Sequence, residues 1–133
     1  LRDNNFENIN SHPLLNNLLL VQRVKINKSI TRLLASRQFS HLIKGEIKTE
    51  VNIGVLEDNM VKLGRIDLLV IHKDYLVIVD YKSDLKPASS IELVPEGYKE
   101  QLRFYNKAIS ALYPNHKIEC KILWLQNGKL MNI

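Results

Sequence analysis

The fold is decided by residues 64–82, which read GRIDLLVIHKDYLVIVDYK. Two runs dense in Val, Ile and Leu, at 61–71 and 75–81, flank the short polar break His72-Lys73-Asp74. Because apolar residues fill both alternating sets of positions, each run must be covered on both faces. The pattern predicts two central strands of a sheet that has helices on each side.

The rest of the chain supplies the elements that would surround these strands. They are a helical region within 13–34, a strand at 46–53, a turn at 54–59, a helix at 97–112, and strands at 117–125 and 129–133 joined by an Asn127-Gly128 turn. Helical spacing of leucines, period-two alternation and turn dipeptides are the respective signals. This order predicts an α/β domain with a mixed central β-sheet flanked by α-helices.

Composition excludes several classes of protein. The chain has 133 residues, of which 45% are hydrophobic and 25% charged, as expected for one soluble globular domain. No apolar run approaches the roughly 18–20 residues of a membrane-spanning helix. Cys120 is the single cysteine in the sequence, so a disulfide framework is excluded and a core position is expected for its thiol.

The net charge of +5 is concentrated near the N-terminus. Residues 1–45 carry seven basic and two acidic side chains, whereas residues 46–133 carry twelve of each. This asymmetry favours a polyanionic or acidic partner, and a merely solvated cationic helix face is the alternative. The chain begins at Leu1 rather than Met, which suggests a piece of a longer polypeptide.

Two acids stand inside the apolar runs, where an unpaired charge is expensive. If Lys73-Asp74 forms a two-residue hairpin loop, paired residue numbers sum to 147 and Asp67 lies opposite Asp80. Facing carboxylates repel unless a cation lies between them or one is protonated. Oxygen ligands without thiolates or clustered imidazoles suit Mg²⁺.

Further polar residues could join this pair. Lys82 is two residues beyond Asp80 and shares its face, so its ammonium could orient a water or balance a phosphate charge. Glu50 could add a third carboxylate if its strand lies beside that of Asp67. The alternative is an internal salt bridge of Lys82 with one acid, which leaves the other acid unpaired.

A third group lies on the helix at 97–112. Tyr98, Gln101 and Tyr105 are spaced i, i+3 and i+7 and share one helix face. They could orient Lys82 or contact a nucleic-acid backbone, or they could form an ordinary helix flank.

Taken in order and spacing, these motifs resemble a known family. They are Glu50-Val51, Gly64-Arg65-Ile66-Asp67, Asp80-Tyr81-Lys82-Ser83 and Tyr98-x-x-Gln101-Leu102-x-x-Tyr105. The set is similar to the PD-(D/E)xK nuclease domain at the C-terminus of RecB- and AddA-type helicase–nucleases. The ending from Ile122-Leu123-Trp124 to Asn127-Gly128-x-Leu130-Met131 favours the AddA type.

The resemblance implies a restriction-endonuclease-like fold and a role for each matched residue. Asp67, Asp80, Glu50 and the Tyr81 carbonyl would bind Mg²⁺, with Mn²⁺ as a substitute, and Lys82 would position the water nucleophile. Gln101 and Tyr105 would support the active site and the DNA. The family's metal-binding His on an N-terminal helix has no match, since neither His12 nor His41 stands in the family's context.

The resemblance also implies a biological setting. It predicts a Mg²⁺-dependent DNA exonuclease domain of a helicase–nuclease, acting in double-strand-break repair and recombination in the bacterial cytoplasm at the nucleoid. Its partners would be single-stranded or unwound DNA, the helicase portion of the parent polypeptide and a partner nuclease subunit, with no membrane. Residues 1–38 would be a helical region and residues 39–133 the nuclease core. An inactive DNA-binding module and a stand-alone restriction or junction-resolving nuclease of the same fold are the alternatives.

Overall fold

A computed structural model describes residues 28–133, which form three α-helices, one short 3₁₀-helix and five strands. The elements are α1 Lys28–Leu34, α2 Arg37–Leu42, β1 Glu46–Glu57, β2 Met60–Ile71, β3 Tyr75–Lys82, the 3₁₀-helix Ile91–Leu93, α3 Glu96–Leu112, β4 Lys117–Trp124 and β5 Lys129–Asn132. The part of the expected helical region at 13–27 lies outside the described residues.

All five strands belong to one mixed sheet in the order β1-β2-β3-β4-β5. Strands β3 and β4 are parallel, and the other neighbouring pairs are antiparallel. A parallel pair needs a crossover connection from one end of the sheet to the other, which α3 provides. The mixed sheet and the flanking helices confirm the predicted α/β fold class.

Helices cover both faces of the sheet, as the apolar runs require. On one face, Leu33 and Phe39 of α1 and α2 pack with Val77 and Val79 of β3. On the opposite face, helix α3 packs against the other alternating set of β3, Leu76 and Ile78, through Leu102, Tyr105, Ala108 and Ile109. Strand alternation therefore puts Asp80 and Lys82, which continue the 76, 78 series, on the α3 face.

Helix α3 carries a single buried stripe. It begins at Glu96 after Pro95, runs for 17 residues and ends two residues before Pro114, which cannot continue the helix.

Within residues 28–133, no helix is long and apolar enough to cross a membrane.

The hairpin between β2 and β3 has the predicted register. Leu68 pairs with Val79 and Ile71 with Leu76, so the sums are 147, and the His72 amide donates to the Tyr75 carbonyl at 2.9 Å. The paired ladder ends at Leu68 and Val79, which are the immediate neighbours of Asp67 and Asp80. The two acids thus lie opposite each other where the two strands part.

The β1–β2 hairpin is longer than predicted. The turn expected at 54–59 is confined to Asp58 and Asn59, because β1 continues to Glu57, which pairs with Met60. Asp58 and Asn59 both have positive φ, 49° and 63°, as a two-residue hairpin turn of the primed type needs, and short Asx side chains tolerate that conformation. Gly54-Val55-Leu56-Glu57 therefore extends the strand.

Candidate active site

Asp80 is a buried carboxylate near the carboxyl end of β3, with only 3% of its surface exposed. Its Oδ2 atom lies 2.8 Å from the Lys82 ammonium but has no hydrogen-bond partner in good geometry. The contact is therefore an ion pair that leaves the lone pairs of a buried oxygen unsatisfied, an arrangement that fits a cation ligand.

Asp67 lies beside Asp80 and fills the gap where β2 leaves β3. Its Oδ2 accepts a hydrogen bond of 2.8 Å from the Tyr81 amide, which replaces the missing ladder bond. Burial, reinforced by the neighbouring Asp80 carboxylate, raises the pKa of Asp67 to about 6 even though the Tyr81 amide opposes that rise. Two acidic groups are thus held together, and the positive charge beside them does not fully offset their repulsion.

Lys82 connects the acidic pair to helix α3. Besides its ion pair with Asp80, its ammonium donates to Oε1 of Gln101 at 2.9 Å and lies 4.1 Å above the centre of the Tyr98 ring. Only 16% of the Lys82 side chain is exposed, so these contacts replace most of its hydration. The ammonium is held by three different groups.

Gln101 is itself oriented by a hydrogen-bond chain. Its Nε2 donates to the Tyr105 hydroxyl at 2.8 Å, and that hydroxyl donates to the Arg65 carbonyl of β2 at 2.8 Å. Burial is the main cause that raises the pKa of the Tyr105 phenol. The phenol therefore stays protonated and able to donate. The chain forces the amide oxygen of Gln101 toward Lys82, since an ammonium can only donate.

Glu50 does not join the acidic pair in this structure. It has a φ of 53° inside β1 and lies 3.7 Å from the Arg65 guanidinium, with 42% of its side chain exposed. Within residues 28–133, no group of three or more His, Cys, Asp or Glu side chains is gathered closely enough to hold a metal. The expected three-carboxylate cluster is therefore not assembled here, and the role of Glu50 as a ligand stays a prediction.

The backbone explains this position of Glu50. Alternation should place Ile47 and Ile53 on one face, yet Ile47 packs in the α1/α2 layer and Ile53 in the α3 layer. Strand β2 changes face in the same way between Ile66 and Leu68. Both strands thus rotate at the level of Glu50 and Asp67, which sequence periodicity does not reveal.

The described histidines lie away from this site. His72 stacks on Tyr75 at the β2–β3 turn with His41 nearby, at the opposite end of β3 from Asp80, and His116 contacts Tyr113 after α3. His12 lies outside the described residues.

One further residue of the site is not marked by any sequence motif. Asp84, in the loop after β3, accepts one bifurcated hydrogen bond from the Tyr98 hydroxyl, which lies 2.9 and 3.0 Å from its two carboxylate oxygens. Its position two residues after Lys82 is the signal that could have marked it, but such acid and lysine spacings are common.

The donor atoms present fit a hard divalent cation. Asp67 and Asp80 offer carboxylate oxygens, one of them buried and unsatisfied, and the chain can add the Tyr81 carbonyl without thiolate or imidazole. Lys82 stands within reach of the same place as a fixed positive charge. The arrangement can bind a cation and stabilise anionic groups next to it.

Comparisons with known proteins agree with this chemistry. The model of the PD-(D/E)XK nuclease superfamily matches residues 7–130. The chain is similar to an ATP-dependent helicase/nuclease subunit of Oenococcus oeni, with 31% identity over 106 residues, or 79% of this chain and 9% of that protein. It is also similar to the proteins of the same name from Ruminiclostridium cellulolyticum, with 27% identity over 58% of this chain, and Streptococcus suis, with 31% identity over 57%. The chain thus spans 6 to 9% of the length of these relatives.

Proposed function

The chain belongs to the PD-(D/E)XK nuclease superfamily, and from that membership we propose that it hydrolyses phosphodiester bonds of DNA with Mg²⁺ as cofactor. The observation that carries the proposal is the buried pair Asp67 and Asp80 with Lys82 beside it. A divalent ion bound there supplies a charge that polarises the scissile phosphate and lowers the pKa of a bound water.

The chain's own residues have separable tasks in this proposal. Asp67 and Asp80, with the Tyr81 carbonyl, hold the ion, and Glu50 joins them if its side chain leaves Arg65. Lys82 orients the attacking water and stabilises the charge that develops on the phosphate. As the water oxygen bonds to phosphorus, the bond between phosphorus and the 3′ oxygen breaks, and solvent protonates that leaving oxygen.

Gln101 and Tyr105 act through Lys82 rather than on the phosphate. Gln101 accepts from the ammonium, and Tyr105 anchors Gln101 to the Arg65 carbonyl of β2. These bonds fix the ammonium before substrate arrives, so little reorganisation is needed during the reaction.

We further propose that the chain acts within a larger helicase–nuclease on single-stranded or unwound DNA. The names of its relatives support this setting, as each is a subunit of an ATP-dependent helicase/nuclease. In this proposal residues 39–133 form the nuclease core, and the domain works in double-strand-break repair and recombination beside a helicase portion and a partner nuclease subunit.

Cleavage of an end-labelled single-stranded oligonucleotide tests the activity. We expect cleavage with Mg²⁺ or Mn²⁺, none with a chelator, and loss of activity in Asp80→Ala and Lys82→Ala. The matched controls Asp74→Ala and Lys73→Ala, on exposed turn residues at the opposite end of β3, should keep full activity. A circular substrate that is cut as fast as the linear one would contradict the exonuclease assignment.

The position of Glu50 against Arg65 favours one rival, an inactive DNA-binding module of this fold. Binding of Mn²⁺, measured by electron paramagnetic resonance, separates the two. The nuclease proposal expects binding that Asp80→Ala abolishes, whereas a chain that binds DNA without binding Mn²⁺ is the inactive module.

A further inference from the structure

The Lys82 ammonium rests on an aromatic ring that is itself held by a carboxylate. The ring is that of Tyr98, 4.1 Å from Nζ, and its hydroxyl donates to both oxygens of Asp84 at 2.9 and 3.0 Å. Asp84 lies two residues after Lys82, so one short stretch of chain places the ammonium at the face of the ring and the carboxylate at its hydroxyl.

This arrangement gives the ammonium a support in addition to Asp80. The face of a phenol ring attracts a cation placed over it, and the attraction grows when the site is desolvated, as it is at Lys82 with 16% exposure. A carboxylate that accepts a hydrogen bond from the phenol raises the electron density of the ring, which strengthens the attraction further. Asp84 and Tyr98 therefore act as one unit.

The unit also gives Lys82 a contact that does not depend on the charge of Asp80. An ammonium 2.8 Å from a buried carboxylate is drawn toward that oxygen, which the proposed chemistry needs as a metal ligand. The Tyr98 ring and the Gln101 oxygen, 2.9 Å away, give the ammonium two contacts that remain when the Asp80 charge is shared with a cation. Lys82 can thus keep its place in both states.

We propose that Tyr98 and Asp84 are positioning residues that hold the Lys82 ammonium in its working place, the ring of Tyr98 by a cation–π contact and Asp84 by fixing that ring. The proposal deepens the nuclease function above and rests on it for its kinetic consequences. Neither residue touches the substrate or the metal in this scheme, and both act through Lys82.

The kinetic test compares four variants on single-stranded DNA. We expect Tyr98→Leu to lower kcat about tenfold with KM unchanged, since it removes the ring, a loss within the range of cation–π contacts. Tyr98→Phe and Asp84→Asn should each lower kcat about threefold, because the ring stays but its anchor weakens. The double variant Tyr98→Phe/Asp84→Asn should be no slower than Tyr98→Phe alone, since the loss of the hydroxyl already removes the bond that Asp84→Asn weakens.

A control and a stability measurement separate positioning from structure. Tyr113→Phe, in a half-buried tyrosine just after α3 and away from the site, should leave kcat unchanged. The urea midpoints of Tyr98→Phe and Asp84→Asn should match that of the parent. Additive losses in the double variant, or a rise in KM in place of the fall in kcat, would overturn the proposal.

Nuclear magnetic resonance of lysine-labelled protein gives a readout that needs no activity. Protons next to the Lys82 ammonium lie over the Tyr98 ring, so their signals should be shifted upfield and should vanish in Lys82→Ala, which assigns them. Tyr98→Leu should remove the shift and Asp84→Asn should reduce it. An unshifted Lys82 signal in an active parent overturns this inference alone, whereas a shifted signal in an inactive parent supports the positioning while the proposed function fails.

Discussion

At the scale of single residues, the unfavourable electrostatic energy of the site is concentrated at two carboxylates. Asp80 is the one fully buried charged side chain in the described range 28–133, and Asp67 beside it has a pKa raised to about 6. Lys82 offsets part of this repulsion, since its ammonium is 2.8 Å from Asp80. A site that binds a cation is expected to be less stable without it.

Asp67→Asn should therefore stabilise the metal-free protein while abolishing cleavage. The amide keeps an oxygen for the Tyr81 amide and removes one of two facing charges, so we expect a gain of about 1 kcal/mol in unfolding free energy at pH 7.5, after allowance for solvent screening at this partly exposed group. Urea unfolding in the presence of a chelator measures the gain. A clear loss of stability would show that the Asp67 charge is satisfied in the fold.

The same carboxyl gives a signed pH dependence. Because the folded-state pKa of Asp67, about 6, is above its usual value near 3.8, the folded chain binds the proton more tightly than the unfolded chain. Its contribution to stability is thus present at pH 4 and falls as pH rises through about 6. In a chelator, the difference in unfolding free energy between Asp67→Asn and the parent should grow from pH 4 to pH 7, and a constant difference would contradict this.

Cys120 should react slowly with thiol reagents. Burial raises the pKa of its thiol to about 11, so little thiolate is present at pH 8. We expect alkylation by iodoacetamide to be at least tenfold slower in the folded chain than in urea. Equal rates would show an accessible, ordinary thiol.

At the scale of elements, sequence patterns predict the strands, the helix and the hairpin register that depend on local periodicity and turn residues. Alternating apolar residues and the Lys73-Asp74 break identify β2, β3 and their register, which places Asp67 opposite Asp80. Helix α3 is equally clear, because Pro95 and Pro114 bound a periodic stripe.

Features that depend on contacts distant in sequence are not visible in this way. The rotation of β1 at Glu50 is not foreseen, because it follows from the packing of Ile47 and Ile53 against different helices. The contact of Asp84 with Tyr98 joins residues fourteen apart across a loop, and no periodicity marks it.

Two glycines test how closely β2 must approach α3. A Cβ at Gly64 would lie 2.8 Å from Cε1 of Phe104 and 3.1 Å from Cε1 of Tyr105, so Gly64→Ala should cost about 1–3 kcal/mol by overpacking and should lower kcat through Tyr105. The control Gly97→Ala, in the first turn of α3 with nothing within 4 Å, should instead stabilise by about 0.5 kcal/mol. Thermal unfolding and cleavage rates measure both, and equal effects of the two substitutions would contradict this close approach.

At the scale of the whole molecule, charge and chemistry are on opposite faces of the sheet. Residues 28–45 carry the exposed basic side chains Lys28, Arg32, Arg37 and Lys44 and no acid, in the layer opposite α3. Residues 46–133 carry twelve basic and twelve acidic side chains, so the basic layer sets the sign of the long-range field that an incoming polyanion meets.

Replacing those four basic residues by Gln should raise KM for single-stranded DNA several-fold at low salt and leave kcat unchanged. The effect should disappear above about 0.5 M salt, where the screening length falls to a few Å. A control variant with Gln at the exposed residues Lys48, Lys73, Lys117 and Lys129 changes the net charge equally. Equal effects of the two variants would show that only the total charge matters, and no effect of either would identify the basic layer as a solvated face.

The order of strand connections has a consequence for how the site is assembled during folding. Short turns join β1 to β2 and β2 to β3, whereas the parallel partner of Tyr75 in β4 is Lys117, reached only through α3. Short loops close with less loss of entropy and form sooner than long crossovers. We therefore expect the acidic pair to come together early in folding, and Gln101 and Tyr105 to reach Lys82 only when the crossover helix docks.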